Sequence, residues 1–302
     1  MLRSRRFLTF CVAPTFATPL LGQDPTALDA VLDREQRRIE ASCDLFEDHS
    51  SWENAWECRS EHYLVRTTHS YGLAKAVADG QEVMLGHFRR LFGNGVERES
   101  PFVIHVREDV AAYNEAGEEF GAEHSSFYGS FHAATAPGSP VEVVHHPNRT
   151  WLQMQITHST LHQWLHGAHP GVTLPAWLEE GLAAYFSLYW DPAWGASELA
   201  RIRDAGRALD LRLLGMTSMP SDPSAAQEFL IQIGMLFTWL MDHREDTRVT
   251  REPDGSVTGG TFRQAIVDLL AGESANEVLR TITALGPIED VLAEFRAYDF
   301  GR

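Results

Sequence analysis

The stretch ITHSTLHQWLHGAHPGVTLPAWLEEGLAAYFSLYW, residues 156–190, decides the fold. His158 and His162 are spaced i, i+4, so on a helix their imidazoles lie on one face, one turn apart. The turn-forming sequence HPGVTLP follows, and Pro175 suits the first turn of a second helix. That helix carries Glu180 near its start. The sequence therefore predicts two consecutive helices that place histidines and a glutamate within reach of one another.

Two imidazoles and one carboxylate form a typical ligand set for Zn²⁺. The candidates are His158, His162 and Glu180, and residues 163–179 between them are enough to end one helix and bring the next back alongside it. Three protein ligands leave a fourth zinc position open for water, which is the pattern of a catalytic site. The sequence thus predicts a Zn²⁺ site with these three ligands.

The segment resembles the gluzincin metallopeptidases, and most closely a bacterial family of peptidase-MA-like domains. The family pattern is H-E-x-x-H followed by P-x-W-L-x-E-G-L-A-x-Y-F. This chain has HSTLH at residues 158–162 and PAWLEEGLAAYF at 175–186. The second part matches closely, whereas the first matches at both histidines and departs at the glutamate. The resemblance extends over residues 60–300 and implies an α+β, zincin-like fold.

The departure falls on the residue that would act as the general base. Ser159 occupies the position of the catalytic glutamate. A general acid–base contributes roughly 10²–10⁴ in rate, and a serine hydroxyl is too weak a base near neutral pH to replace a carboxylate. The resemblance therefore implies a zinc-binding metallopeptidase homologue with weak or no proteolytic activity.

Three alternatives stay open at the level of sequence. An active metallohydrolase would need another base, such as Glu179, which otherwise reads as a surface carboxylate or one that supports a ligand. A metal-free relic of the fold would serve a structural or peptide-binding role. A shifted register would pair His162 with His166 and place Gln163 at the base position, which equally lacks an acid.

The resemblance also implies how a peptide ligand would be held. A strand near the first helix would pair with the peptide backbone, and FYGSFH at 127–132 and VEVVHH at 141–146 are the candidates. Tyr128, Tyr185 and Tyr189 are candidates for a donor to a developing oxyanion. The sequence does not choose within either set.

Patterns of apolar residues divide the chain into two halves. An α+β half at 60–150 precedes a helical half at 151–302, and a helical segment at 23–59 precedes both. Strands are predicted at 61–68, 101–108, 127–134 and 140–146. Helices are predicted at 70–93, 109–116, 151–167, 175–190, 195–214, 224–243 and within 260–300, with a polar loop at 246–260.

The N-terminus has the layout of a secretory signal peptide. Basic residues at Arg3, Arg5 and Arg6 precede an apolar stretch, which predicts removal of residues 1–22 and a secreted, periplasmic or cell-envelope location. The Arg5–Arg6 pair leaves Sec and twin-arginine export both open. In an exported chain, Cys43 and Cys58 are expected to form a disulfide.

The charge of the chain excludes one class of partner. Its 25 Lys and Arg against 42 Asp and Glu give a net charge of −17. Nucleic-acid binding depends on neutralising phosphates with basic residues, so nucleic acid is not expected as a partner. A peptide or protein ligand remains compatible with this charge, and no segment after the signal peptide is apolar enough to span a membrane.

Overall fold

The computed structural model describes residues 48–96, 100–119, 130–132, 139–208, 220, 222–254, 256–272 and 274–300. The predicted signal peptide at 1–22 lies outside these residues, as does most of the predicted helical segment at 23–59. Cys43 also lies outside them. Cys58 is a free, buried cysteine, and its predicted pairing with Cys43 therefore stays a prediction that involves a residue outside the described ones.

The sheet has five strands in the order β1-β2-β3-β5-β4. The central strands β2, β3 and β5 are parallel, and each edge strand runs antiparallel to its neighbour. The strands are β1 (Trp56–Arg59), β2 (Tyr63–Thr67), β3 (Phe102–Arg107), β4 (Ser130–His132) and β5 (Val141–Val144). Strands β2 and β3 alternate buried and more exposed side chains, as expected where one face of a sheet packs on the core, whereas the first three residues of β5 are all buried.

Helices supply the rest of the fold, together with a small hairpin. The helices are α1 (Tyr71–Phe92), α2 (Val110–Glu119), α3 (Arg149–Ala168), α4 (Ala176–Leu188), α5 (Pro192–Asp204), α6 (Pro223–Thr238), α7 (Thr261–Leu270), α8 (Ala275–Ala284) and α9 (Ile288–Ala297). A π-helical turn, Trp239–His243, continues α6, and β6 (Val249–Arg251) pairs antiparallel with β7 (Val257–Gly259). The mixed α/β character expected from the sequence is therefore confirmed.

Helix α3 is the element that connects the sheet to the helices. It packs against β3, β4 and β5, and α4 packs between α3 and α6. The side chain of Asn148 caps α3 by accepting a hydrogen bond from the backbone N–H of Trp151 at 3.1 Å. Trp164 of α3 and Trp177 of α4 are both almost fully buried, so the two helices share one hydrophobic core. This shared core fixes the histidines of α3 relative to the start of α4.

Two predictions of local structure were wrong. Residues 52–54 form a 3-10 turn and 56–59 form β1, where the sequence pattern had indicated the end of an N-terminal helical segment. The charged residues of this segment alternate with buried ones, and pairing with β2 decides the outcome. The predicted loop at 246–260 contains the β6–β7 hairpin, whose strands are mostly exposed and so lack an apolar signature.

No helix in the described ranges combines the length and the apolar character that a transmembrane helix needs.

Candidate metal site

Three donor atoms from α3 and α4 converge on one point. The Nε2 atoms of His158 and His162 are 3.4 Å apart. Oε2 of Glu180 lies 3.2 Å from Nε2 of His158 and 3.7 Å from Nε2 of His162. The three side chains are between 11% and 19% exposed, so the group is sheltered but open to solvent on one side.

These separations fit the donor set of a tetrahedral zinc ion. Zinc binds imidazole nitrogen and carboxylate oxygen at about 2.0–2.1 Å, which places neighbouring ligand atoms about 3.3 Å apart. The three measured distances lie within half an ångström of that value. His158, His162 and Glu180 also form the single His/Cys/Asp/Glu group of at least three members with metal-binding geometry in the described part of the chain. The residues present therefore fit the ion that the sequence predicts.

Glu179 lies behind one of the histidines. Its Oε1 atom accepts a hydrogen bond from Nδ1–H of His162 at 2.8 Å and lies 3.2 Å from Nε2 of His166. Because Nδ1 of His162 donates to Glu179, Nε2 is the nitrogen that faces His158 and Glu180 and would offer its lone pair to a metal once deprotonated. A carboxylate on the far nitrogen of a ligating histidine fixes its tautomer and raises its basicity. The contact of Glu179 with His162 is the one expected of a carboxylate that supports a ligand.

The charges within this group shift one another's protonation. Burial alone would lower the pKa of His162, but Glu180 and Glu179 outweigh it and raise that pKa to about 10. Burial alone would raise the pKa of Glu179, but His162 and His166 lower it to about 2. Burial likewise opposes ionisation of Glu180, yet His162 and His158 hold its pKa well below the usual range. Without metal, a proton on His162 therefore occupies the place of a cation.

A polar network behind α3 holds the helix in register. Gln81 of α1 donates to Gln153 at 2.9 Å and accepts from Thr160 at 2.8 Å. Trp190, just after α4, donates from Nε1 to Oγ1 of Thr157 at 2.7 Å. The first two bonds connect α3 to α1 and the third connects it to the segment just after α4, so α3 is held from two directions.

The structure separates the remaining candidates. Ser159 is buried, with 3% of its surface exposed. His166 contacts Glu179 but does not belong to the converging group, so the shifted register is not the one assembled. The hydroxyl of Tyr185 bonds to Asp242, and Tyr189 packs on His87, so neither is drawn into the metal group.

The third candidate tyrosine and the two candidate strands for peptide pairing remain. Tyr128 lies outside the described residues. Of the two candidate strands for peptide pairing, β5 is paired on both sides, by β3 and β4, whereas β4 is at the end of the sheet order. Only FYGSFH therefore contributes an edge strand. The chain matches no protein-family model and no curated protein.

Proposed function

We propose that this protein is an exported, zinc-binding homologue of the gluzincin metallopeptidases, with weak or no proteolytic activity. The observation that carries the proposal is the convergence of His158, His162 and Glu180 at spacings that suit tetrahedral zinc. Export rests on the N-terminal sequence pattern alone.

The zincin-like fold is supported by the order of the elements. The helix with the two histidines packs on a mixed sheet, next to an antiparallel edge strand. The helix with the third ligand follows directly and returns alongside it. This arrangement agrees with the layout implied by the sequence resemblance at residues 158–162 and 175–186.

The expected weakness in catalysis follows from what surrounds the metal ligands. Bound zinc would acidify a water molecule at its open position. Transfer of the proton to a leaving amine needs a carboxylate, and Ser159 cannot supply one. Glu179 is on the Nδ1 side of His162, away from the converging Nε2 atoms, and is already bound to two histidines. It therefore supports a ligand, and this disfavours the alternative in which it serves as the base.

A peptide is the ligand class that best suits the surroundings of the site. Among the described residues, β4 is at the end of the sheet order and packs against α3, which is the kind of strand that pairs with an extended peptide backbone. A protein that keeps such an edge and the zinc ligands but lacks the base would bind peptides and turn them over slowly.

Metal content of the purified protein tests the proposal. We expect about one zinc per chain, lost in the His158→Ala/His162→Ala double variant. His145→Ala/His146→Ala is the matched control. It also removes two histidine side chains, but these lie outside the metal group, so the variant should keep the zinc. A wild-type protein that stays metal-free after zinc is supplied would contradict the proposal.

Ser159→Glu tests the reason for the weak activity. If the missing base is the defect, this substitution raises peptidase turnover about 10²–10⁴-fold over the parent. Cleavage of a broad peptide library measures the change, with Ser159→Gln as the control that has the same size but no acid. Equal activity in the Glu and Gln variants would show that the base is not what the site lacks.

A further inference from the structure

A cavity of about 970 Å³ lies at the C-terminal end of α4. It shares no lining residue with the metal group. Its lining residues Tyr185 and Tyr189 follow Glu180 by five and nine positions, which at about 100° per residue places them roughly 140° and 180° around the helix. The cavity therefore opens on a different side of α4 from the zinc ligands.

One wall of this cavity is apolar. Side chains of α4, α5 and α6 form it, including Phe186, Leu188, Ala196 and Met235. The volume is at the upper end of the range of about 300–1,000 Å³ that is typical of sites for small organic ligands. Apolar side chains that line a cavity of this volume favour a ligand with a hydrocarbon portion.

The lining of the cavity also includes a hydrogen-bonded polar group. The hydroxyl of Tyr185 donates to Oδ2 of Asp242 at 3.0 Å and accepts from Nη2 of Arg251 at 3.3 Å. Arg251 also donates to Oδ1 of Asp242 at 2.8 Å. Tyr185 is 8% exposed, so this network is anchored in the core and faces the cavity from a fixed position.

The rim of the cavity is basic, although the chain as a whole is acidic. Asp242 is the one carboxylate among the described residues that line it, and it is matched by Arg251. The exposed guanidinium of Arg248 adds a net positive charge. Burial, Arg90 and Arg251 together lower the pKa of His87 on the same rim. In a chain of net charge −17, two guanidinium groups against one carboxylate beside an apolar lining favour an anionic head group.

We propose that this cavity binds a single-chain carboxylate of the fatty-acid kind. The hydrocarbon chain lies against the wall formed by Leu188 and Met235, and the carboxylate lies at the rim near Arg248 and Arg251. Guanidinium groups suit this head group because they offer paired N–H donors to a carboxylate. The site is separate from the proposed zinc function and does not require metal.

Calorimetric titration with submicellar dodecanoate tests this proposal. We expect one dodecanoate per chain, with dodecyltrimethylammonium, which has the same chain and the opposite charge, bound at least about tenfold more weakly. No binding of dodecanoate, or equal binding of the two amphiphiles, would overturn the proposal.

Variants locate the ligand. Arg248→Gln and Arg251→Gln should each weaken dodecanoate binding about tenfold, because each removes a charged donor. Ala196→Trp should abolish binding by filling the apolar side. Arg248 is exposed, so its replacement leaves the folded protein intact, and thermal unfolding checks the other two.

Two controls separate this site from other surfaces. Arg59→Gln removes an exposed arginine from β1 and should leave binding unchanged. His158→Ala/His162→Ala should also leave it unchanged, so a failure of the zinc proposal and a failure of this one are distinguishable. Unaltered affinity in all three cavity variants would show that dodecanoate binds elsewhere, and the proposal would be wrong.

Discussion

The two sides of α4 each carry a sheltered carboxylate network, and the networks differ in the partners of the carboxylate. On one side Glu180 faces His158 and His162. On the other side Asp242 faces Arg251 and Tyr185. An imidazole can give up its proton and offer a lone pair to a metal, whereas a guanidinium keeps its protons and remains a donor. A partner that can lose its proton therefore leaves the carboxylate able to bind a cation, whereas a partner that keeps its proton holds the carboxylate in a permanent ion pair.

The largest change in zinc affinity is expected from Glu180→Ala. Loss of one of three ligands should lower zinc affinity about 1,000-fold, which is roughly a third of the free energy of a strong zinc site. Competition with a chelator measures the change. Asp242→Asn is the counterpart on the other side of α4, and it should change zinc affinity by no more than about twofold. A large loss in Asp242→Asn would mean that the two sides are not independent.

The next largest change in zinc affinity is expected from a change of pH. In the metal-free protein the pKa of His162 is about 10, so zinc must displace a proton from it at neutral pH. Zinc affinity should therefore fall about 100-fold from pH 8 to pH 6, tenfold per unit for one proton. Chelator competition at each pH measures this, and an affinity that does not depend on pH would contradict it.

The same pKa shift acts in the opposite direction on the stability of the metal-free protein. Because the folded pKa of His162 is raised, its contribution to the free energy of unfolding is complete below pH 6.5 and is lost as the pH rises through about 10. Urea unfolding of the metal-free protein follows this loss. Bound zinc should remove this pH dependence of the free energy of unfolding, since the metal then replaces the proton.

Glu179→Gln should produce a smaller change, because Glu179 contacts a ligand rather than the metal. Loss of the charge behind His162 should lower zinc affinity about 10- to 100-fold, the range usual for residues that orient a ligating histidine. Glu61→Gln is the control, since the side chain of Glu61 is 83% exposed and lies outside the group. If both variants bind zinc as tightly as the parent, Glu179 has no role in orienting His162.

The smallest effect is expected where α4 meets α6, between the two networks. A Cβ atom on Gly181 would lie 2.5 Å from Cε2 of Phe237, so Gly181→Ala overpacks the contact and should lower the free energy of unfolding by about 1–3 kcal/mol. Gly72→Ala is the control, because its nearest contact is 3.9 Å away. Denaturant unfolding compares the two. Equal stability would show that α4 has room to shift.

The convergence of His158, His162 and Glu180 could be predicted because the relation between these residues is local. His158 and His162 are one helical turn apart, and Glu180 lies in the next helix along the chain. The role of Glu179 could not be chosen from sequence, because it depends on which nitrogen of His162 faces the metal. Periodicity gives the face of a helix but not the rotation of a ring.

The cavity and the hairpin beside it were not predicted at all. Tyr185, Asp242 and Arg251 come together over separations of 57 and 66 residues, and no single segment carries their pattern. Strand β6, which supplies Arg251, is short and largely exposed, so pairing with β7 rather than apolar alternation fixes it. Such contacts follow from tertiary packing and leave no periodic signal in the chain.

The number of residues in the π-helical turn Trp239–His243 matters for the position of the side chains it carries. A π turn holds one more residue than the corresponding α-helical turn. Asp242 lies within it, so the number of residues in this turn, and not only the identity of Asp242, sets where its carboxylate meets Tyr185. A change in the length of the turn would therefore act on the network even when every residue of the network is retained.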